Sequence, residues 1–290
     1  MYFTGFADEA AAGLEGQIKA TKALGWSNIE SRAIDGVNIH DLPEDKFNAV
    51  AARLDEAGIH VNCFGSTIAN WGKKVTDPFD ITLEEVNRAI PRMKRLGTKL
   101  IRIMSYARMD DRDPSDQMKE ERFRRLREIT KMFLDNGIQP VHENCMNYGG
   151  MGWAFALEVL ENVPGLKFVF DTGNCVGNDD KMKPKPYPKQ SSWEFYEHVR
   201  DYVAYIHIKD GIFNHEKNNL ECCWPGEGHG DVERILKDAF SRGYDGGISI
   251  EPHMAVVFHD ASVQASDEAR MENYVEYGRR IMEMVKRIKG

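Results

Sequence analysis

The chain has 290 residues, of which 42% are hydrophobic and 29% charged, enough apolar material for a sizeable core and too much for a disordered chain. Its formal charge of −8 repels phosphate backbones and anionic headgroups, which argues against nucleic acid and membrane as partners. No run approaches the roughly 18 apolar residues of a membrane span.

Tyr2–Phe6 reads as a first strand, and Leu14, Ile18, Thr21 and Leu24 mark one face of a helix ended by Gly25. Asn28–Arg32 reads as the second strand. Phe47, Val50 and Leu54 give the next helix, closed by Gly58, before the strand Ile59–Phe64. Leu83, Val86, Ile90 and Met93 form a third stripe that stops at Gly97, and Pro91 inside it is expected to kink the helix. The fourth strand is Leu100–Met104. Phe123, Leu126, Ile129 and Phe133 lead through Gly137 to Ile138–Glu143, where Pro140 is tolerable near the strand start. A short helix through Leu157 and Leu160 precedes Leu166–Asp171, and Trp193–Val199 precedes Val203–His207. Val232, Ile235, Leu236 and Phe240 lead through Gly243 to Gly247–Glu251. The last helix carries Tyr274, Gly278, Ile281, Val285 and Ile288.

Eight alternations of strand and helix imply an α/β fold, a parallel sheet closed into a (β/α)8 barrel, as one domain over residues 1–290. An open doubly wound sheet would carry a Gly-rich phosphate turn after its first strand, and Gly13-Leu-Glu-Gly16 sits inside a helical pattern instead. Cys63, Cys145, Cys175, Cys222 and Cys223 form an odd set without Cys-x-x-Cys spacing, which suits reduced thiols. Met1 to Ala12 lacks a basic segment followed by an apolar one, so a cytoplasmic protein is expected, with a leader removed beforehand left open.

In such a barrel the chemistry sits at the C-terminal strand ends. Those ends are Glu143, Asp171, His207 and Glu251 on strands five to eight, one ligand-type residue per successive strand. Parity agrees: Val141 with Glu143, Val169 with Asp171, Tyr205 with His207 and Ser249 with Glu251 share a face, while Phe168, Phe170, Ile206 and Ile208 take the other. The polar parity then points into the barrel, where unpaired carboxylates are costly unless a cation meets them. Three carboxylates and one imidazole form a hard, oxygen-rich set for one divalent ion, Mn²⁺, Mg²⁺ or Co²⁺, with Zn²⁺ also admissible. An ion with open positions can chelate adjacent oxygens of a keto-sugar and stabilise the enediolate left when a base removes the proton beside the carbonyl. Taken singly, each of the four is equally an ordinary polar strand end.

Val141-His-Glu-Asn144, Phe170-Asp-Thr-Gly-Asn174, Tyr205-Ile-His-Ile-Lys-Asp210, Pro225-Gly-Glu-Gly-His-Gly-Asp231 and Ile248-Ser-Ile-Glu-Pro252 carry a resemblance. The chain resembles the xylose isomerase-like barrel superfamily of sugar-phosphate isomerases and epimerases, which includes ketose 3-epimerases and inosose dehydratases. The resemblance spans most of the chain. It implies that Glu143, Asp171, His207 and Glu251 are the metal ligands and that Glu143 and Glu251 double as the catalytic acid–base pair. It also implies a small-molecule sugar or keto-sugar substrate, free or phosphorylated, and allows a homo-oligomer. The sequence departs from the ketose 3-epimerase pattern at two places: Asn174 stands where a substrate-binding His is common, and Phe213 where an Arg is. Isomerisation or epimerisation is the leading expectation. Dehydration or lysis of a keto-sugar or inosose uses the same proton abstraction and is the alternative.

Further substrate-binding candidates each have a plainer reading. Glu30 ends strand two and either meets substrate hydroxyls or forms a strand-end salt bridge. Lys209 shares the inward parity of His207 and binds a substrate oxygen or pairs with a carboxylate. His142 has the wrong parity for the ion and reads as structural or supporting. Trp71 and Trp224 fall in loops on the active face, as sugar-stacking walls or as core filler. His229 lies in a Gly-rich loop that reaches the substrate or simply turns tightly. The loop 177–191, with four lysines, is a lid or a plain Pro-rich excursion.

Overall fold

The computed structural model describes residues 1–257 and 260–290. Eight strands form the barrel: β1 Tyr2–Gly5, β2 Asn28–Ser31, β3 His60–Gly65, β4 Leu100–Ile103, β5 Gln139–Glu143, β6 Lys167–Asp171, β7 Val203–Ile208 and β8 Gly247–Ile250. Each is followed by a helix: α1 Leu14–Ala23, α2 Glu44–Ala57, α3 Phe79–Leu96, α4 Lys119–Leu134, α5 Trp153–Asn162, α6 Ser192–Val199, α7 Val232–Ser241 and α8 Asp267–Lys289. The strands pair in parallel in the order β1-β8-β7-β6-β5-β4-β3-β2. The parallel bridge between Phe6 and Glu30 joins the two ends of that sheet, β1 and β2. This is the (β/α)8 barrel expected from the alternation. Among the described residues no helix is long and apolar enough to cross a membrane.

Parity divides the strand side chains as the pattern predicts. Phe168, Phe170, Ile206 and Ile208 join the outer core with the helices, where Phe170 meets Tyr196 and Phe168 meets Phe195 of α6. Cys63, Val141, Val169 and Tyr205 instead form a small apolar layer of their own inside the barrel. The four ligand-type residues lie one step further along the strands. His142 faces outward, stacked 5.7 Å from Phe168 and 3.0 Å from the Ser105 hydroxyl, and burial pushes its pKa down to about 4. It is a neutral core residue.

Helix stops follow the glycines: α2 and α3 end on Gly58 and Gly97 at φ 66° and 69°, a left-handed turn that a side chain resists. Pro91 does not interrupt α3. It lies on the solvent face, and Asn87, whose carbonyl it leaves without a helical donor, is exposed there too.

The Gly-rich segment after β7 is organised by one carboxylate. Asp210 accepts four backbone N–H groups, from Gly211 (2.9 Å), Gly226 (2.8 Å), Gly228 (3.1 Å) and Gly230 (2.8 Å). A Cβ on Gly228 or Gly230 would come within 2.4 or 2.8 Å of that carboxylate, so this spacing of glycines is a steric requirement. We expect Asp210→Asn, which turns a donor toward those N–H groups, to destabilise the fold by about 3 kcal/mol in urea titration. The exposed Asp245→Asn should stay within about 0.5 kcal/mol of wild type.

Candidate metal centre

Glu143, Asp171, His207 and Glu251 each offer one ligand atom, and these atoms all lie within 4.8 Å of one another. None of the four residues is more than 3% exposed. Their placement follows from the motifs around them. The Asn144 amide brackets the end of β6, donating to the Asp171 carbonyl (2.8 Å) and accepting its N–H (2.7 Å). Asp171 Oδ1 accepts the N–H groups of Gly173 (2.9 Å) and Asn174 (2.6 Å), which leaves Oδ2 turned into the barrel. The Thr172 hydroxyl donates to the Lys209 carbonyl (2.6 Å) and accepts its N–H (3.1 Å). Gly173 is required because a Cβ there would sit 2.6 Å from the Lys209 side chain.

His207 is fixed from behind. Its Nε2 faces Glu30, 3.0 Å from Oε2 and 3.1 Å from Oε1, so Nδ1 is the nitrogen left for the cluster. Glu30 is fully buried, and its Oε2 also accepts the Tyr205 (2.9 Å) and Ser249 (2.6 Å) hydroxyls. The pairing of β2 with β3 slips by one residue between Ile29 and Glu30, a bulge of the kind that re-aims a strand end. Of the two readings of Glu30, substrate hydroxyls or a strand-end salt bridge, its contacts follow the second, with its oxygens on His207, Tyr205 and Ser249.

Three fixed cations surround the ligands. Lys209 Nζ lies 3.0 Å from Glu251 Oε2 and 3.3 Å from Asp171 Oδ2. Arg102 Nη1 lies 3.1 Å from Glu143 Oε2, and Arg32 Nη1 lies 2.9 Å from Glu251 Oε1. Both guanidinium groups lie over the Phe6 ring, at 4.3 Å for Arg32 and 5.1 Å for Arg102. Arg32, Arg102, Asp8, Glu9 and His253 belong to none of the motifs that mark the site in the sequence. The signal for Arg102 was its position between Ile101 and Ile103, a charge at inward parity in an otherwise apolar strand.

These cations do not balance the cluster. Glu143 Oε2, Asp171 Oδ2 and His207 Nδ1 are buried and lack a hydrogen bond of good geometry, despite their ion-pair neighbours. Burial raises the Asp171 pKa to about 6, with Lys209 opposing and the Glu251 and Glu143 charges adding. His207 is opposed by burial, yet Glu30 and Glu143 outweigh it and raise its pKa to about 10. Burial likewise works against ionised Glu143, which Arg102 and His207 hold down at about 2. The pocket keeps an appetite for positive charge, and an O,O,O,N donor set without sulfur suits a hard or borderline divalent ion.

Other expected site residues scatter. The Asn174 amide reaches Glu143 Oε1 at 3.2 Å, so it stands in the cluster. Trp224 packs away from it, tilted against Tyr277 at 6.1 Å with Arg280 over its ring at 4.3 Å. Trp71 is 41% exposed, and His229 is exposed on its loop. Of the four loop lysines, Lys181 and Lys189 pair with Asp179. Phe213 lies under the Lys189 ammonium at 3.9 Å.

No curated protein sequence matches the chain. Solved structures do. A D-tagatose 3-epimerase-like protein is 16% identical with a TM-score of 0.72, covering 100% of this chain and 98% of its own. The probable 3-DHS dehydratase AsbF from Bacillus anthracis is 13% identical with a TM-score of 0.70, covering 97% and 99%. A xylose isomerase-like TIM barrel protein from Mycobacterium smegmatis, in complex with magnesium, is 16% identical with a TM-score of 0.67, covering 98% and 97%. At these identities they establish the fold alone. A family model described as xylose isomerase-like TIM barrel matches residues 18–286, nearly the whole chain, and the protein belongs to that family.

Proposed function

We propose that the protein is a divalent-metal-dependent isomerase or epimerase of a keto-sugar or its phosphate, working by proton transfer beside the carbonyl. The observation that carries this reading is the convergence of four buried donors from consecutive strands, three of whose atoms lack hydrogen-bond partners. Glu143, Asp171, His207 and Glu251 would hold the ion, and the magnesium complex of the Mycobacterium smegmatis barrel supports a hard cation of the Mg²⁺, Mn²⁺ or Co²⁺ type, with Zn²⁺ admissible. When bound, the ion supplies Lewis-acid polarisation of the substrate carbonyl.

The chain's own residues do the rest. Glu143 on β5 and Glu251 after β8 flank Asp171 and His207, an order that supports their acting as two carboxylates on opposite faces of a bound sugar, for proton removal and return. The Lys209 ammonium, held between Glu251 and Asp171, would help to meet the charge that develops on the substrate when that proton leaves. Asn174 orients Glu143 through its amide. The five cysteines are all free thiols, which supports a cytoplasmic setting.

Elimination of water from a keto-sugar or keto-cyclitol is the second reading. Asn174 beside Glu143 favours keeping it, because an imidazole common at that place in ketose 3-epimerases is here an amide. The likeness to a probable 3-DHS dehydratase points the same way.

Incubation of the Mn²⁺-loaded protein with keto-sugars in D₂O separates the two. Deuterium beside the carbonyl without loss of water is the expected result, and an unsaturated product would replace the first reading by the second. Glu251→Gln should lower exchange about a thousandfold. Wild-type exchange in that variant would remove the proton-transfer assignment.

His207 also sets a pH dependence. With its pKa raised to about 10 in the ion-free protein, Nδ1 must release a proton before it can ligate. Apparent Mn²⁺ affinity should therefore rise about tenfold per pH unit between roughly pH 6 and 9, with about one proton released per ion. Calorimetry in two buffers of different ionisation enthalpy measures that proton. A flat profile would show that Nδ1 is not a ligand.

A further inference from the structure

A second buried cluster shares the barrel mouth with the four ligands. Glu9, at the end of the short 3₁₀ turn after β1, is 3% exposed. Its carboxylate accepts both the backbone N–H (2.8 Å) and the imidazole Nδ1–H (2.7 Å) of His253. A carboxylate only accepts, so Nδ1 donates to Glu9, and the Nε2 edge of the ring lies 3.5 Å from Glu251 Oε1. His253 sits at φ 53°, a left-handed conformation rare for a residue with a side chain, two residues beyond Glu251. Arg32 bridges the same groups, with Nη2 3.4 Å from Glu9 Oε1 and Nη1 2.9 Å from Glu251 Oε1, while Nε holds Asp8 at 2.9 Å. Arg270 of α8 donates to the Asp8 and Glu9 carbonyls at 2.5 and 3.3 Å, so the turn that carries Glu9 is itself anchored.

Glu9, Glu251 and His253 also resemble a second ligand triad. The Arg32 guanidinium already lies among these acids as their cation, and that reading goes no further.

We propose that Glu9 is a positioning residue for Glu251. Through His253 on one side and Arg32 on the other, it fixes the Glu251 carboxylate in line with Glu143, Asp171 and His207. The two turns joined in this way follow β1 and β8, which are neighbours in the barrel, so the clasp also ties the turn after the first strand to the turn after the last. The inference rests on Glu251 being both ligand and proton-transfer group.

Two variants of the full chain test it. Glu9→Gln keeps the side chain's size and removes one of its two acceptors. His253→Asn suits a left-handed turn and deletes the ring beside Glu251. In each, Mn²⁺ affinity by titration calorimetry should fall about tenfold. The kcat for proton exchange should fall about 10- to 100-fold while KM stays within about threefold. A clasp that served folding alone would lower the thermal midpoint and leave the Mn²⁺ affinity and kcat of the folded protein unchanged. A folded variant of either kind with wild-type affinity and kcat overturns the proposal. So does loss of fold in both, which would assign the clasp to stability. A wild-type protein that neither binds Mn²⁺ nor exchanges protons would instead sink the enzymatic reading and this inference with it.

Discussion

Glu30, Glu143, Asp171 and Glu251 are all withdrawn from water at one end of the barrel, none more than 3% exposed. Burying that many carboxylates together is costly unless positive charge and hydrogen-bond donors meet them. Much of the surrounding structure answers this constraint. Arg32, Arg102 and Lys209 each approach at least one ligand carboxylate, and the Tyr205 and Ser249 hydroxyls donate to Glu30. The answer is incomplete at Asp171, whose pKa burial and the nearby Glu251 and Glu143 charges raise against Lys209, and at His207, where Glu30 and Glu143 outweigh burial and raise it. In the proposed metal-loaded protein a divalent ion would meet that demand for positive charge in place of a proton.

The same constraint gives the two flanking carboxylates different surroundings. Glu251 is approached by Arg32, Lys209 and His253, which together hold its pKa well below the usual carboxylate range although burial opposes them. Glu143 is approached by Arg102, the His207 ring at 3.6 Å and the Asn174 amide. In the proposed proton transfer the two carboxylates need not be symmetric, because the face that gives up a proton and the face that receives it make different demands. The inequality of cations around them is where that difference is built.

Period two in the strands and the helix-then-glycine punctuation made the barrel legible from sequence, since both are local consequences of backbone geometry. The convergence of Glu143, Asp171, His207 and Glu251 was legible because strand-end position and parity together fix where a side chain points. Glu30 was found as a strand-end acid but its purpose was not, because the bulge beside it and its contact with His207, 177 residues away, leave no local trace. Arg32 was hidden because a basic residue at a strand end looks the same whether it faces solvent or a buried acid, and Arg102 showed itself only by its inward parity. Trp224 was placed in the correct loop, yet its ring turned toward Tyr277 of α8, a choice made by long-range packing. Asp8, Glu9 and His253 lie in turns, where side-chain direction follows no period.

Asp210 shows how the mouth is kept in shape without touching the ligands. Barrels of this architecture often bind a phosphate with backbone N–H groups of the loops after strands seven and eight. Here the N–H groups of Gly211, Gly226, Gly228 and Gly230 are occupied by the chain's own carboxylate. An internal anion in that nest does two things at once: it locks the loop that follows Lys209, and it closes that place to a substrate anion. Since Lys209 holds its ammonium between Asp171 and Glu251, a loop fixed from Gly211 to Gly230 immediately beyond it turns a local hydrogen-bond pattern into a constraint on the four-residue cluster. The Gly-rich motif and the His-x-Lys-Asp motif are thus one mechanical unit, with Asp210 as the joint between them.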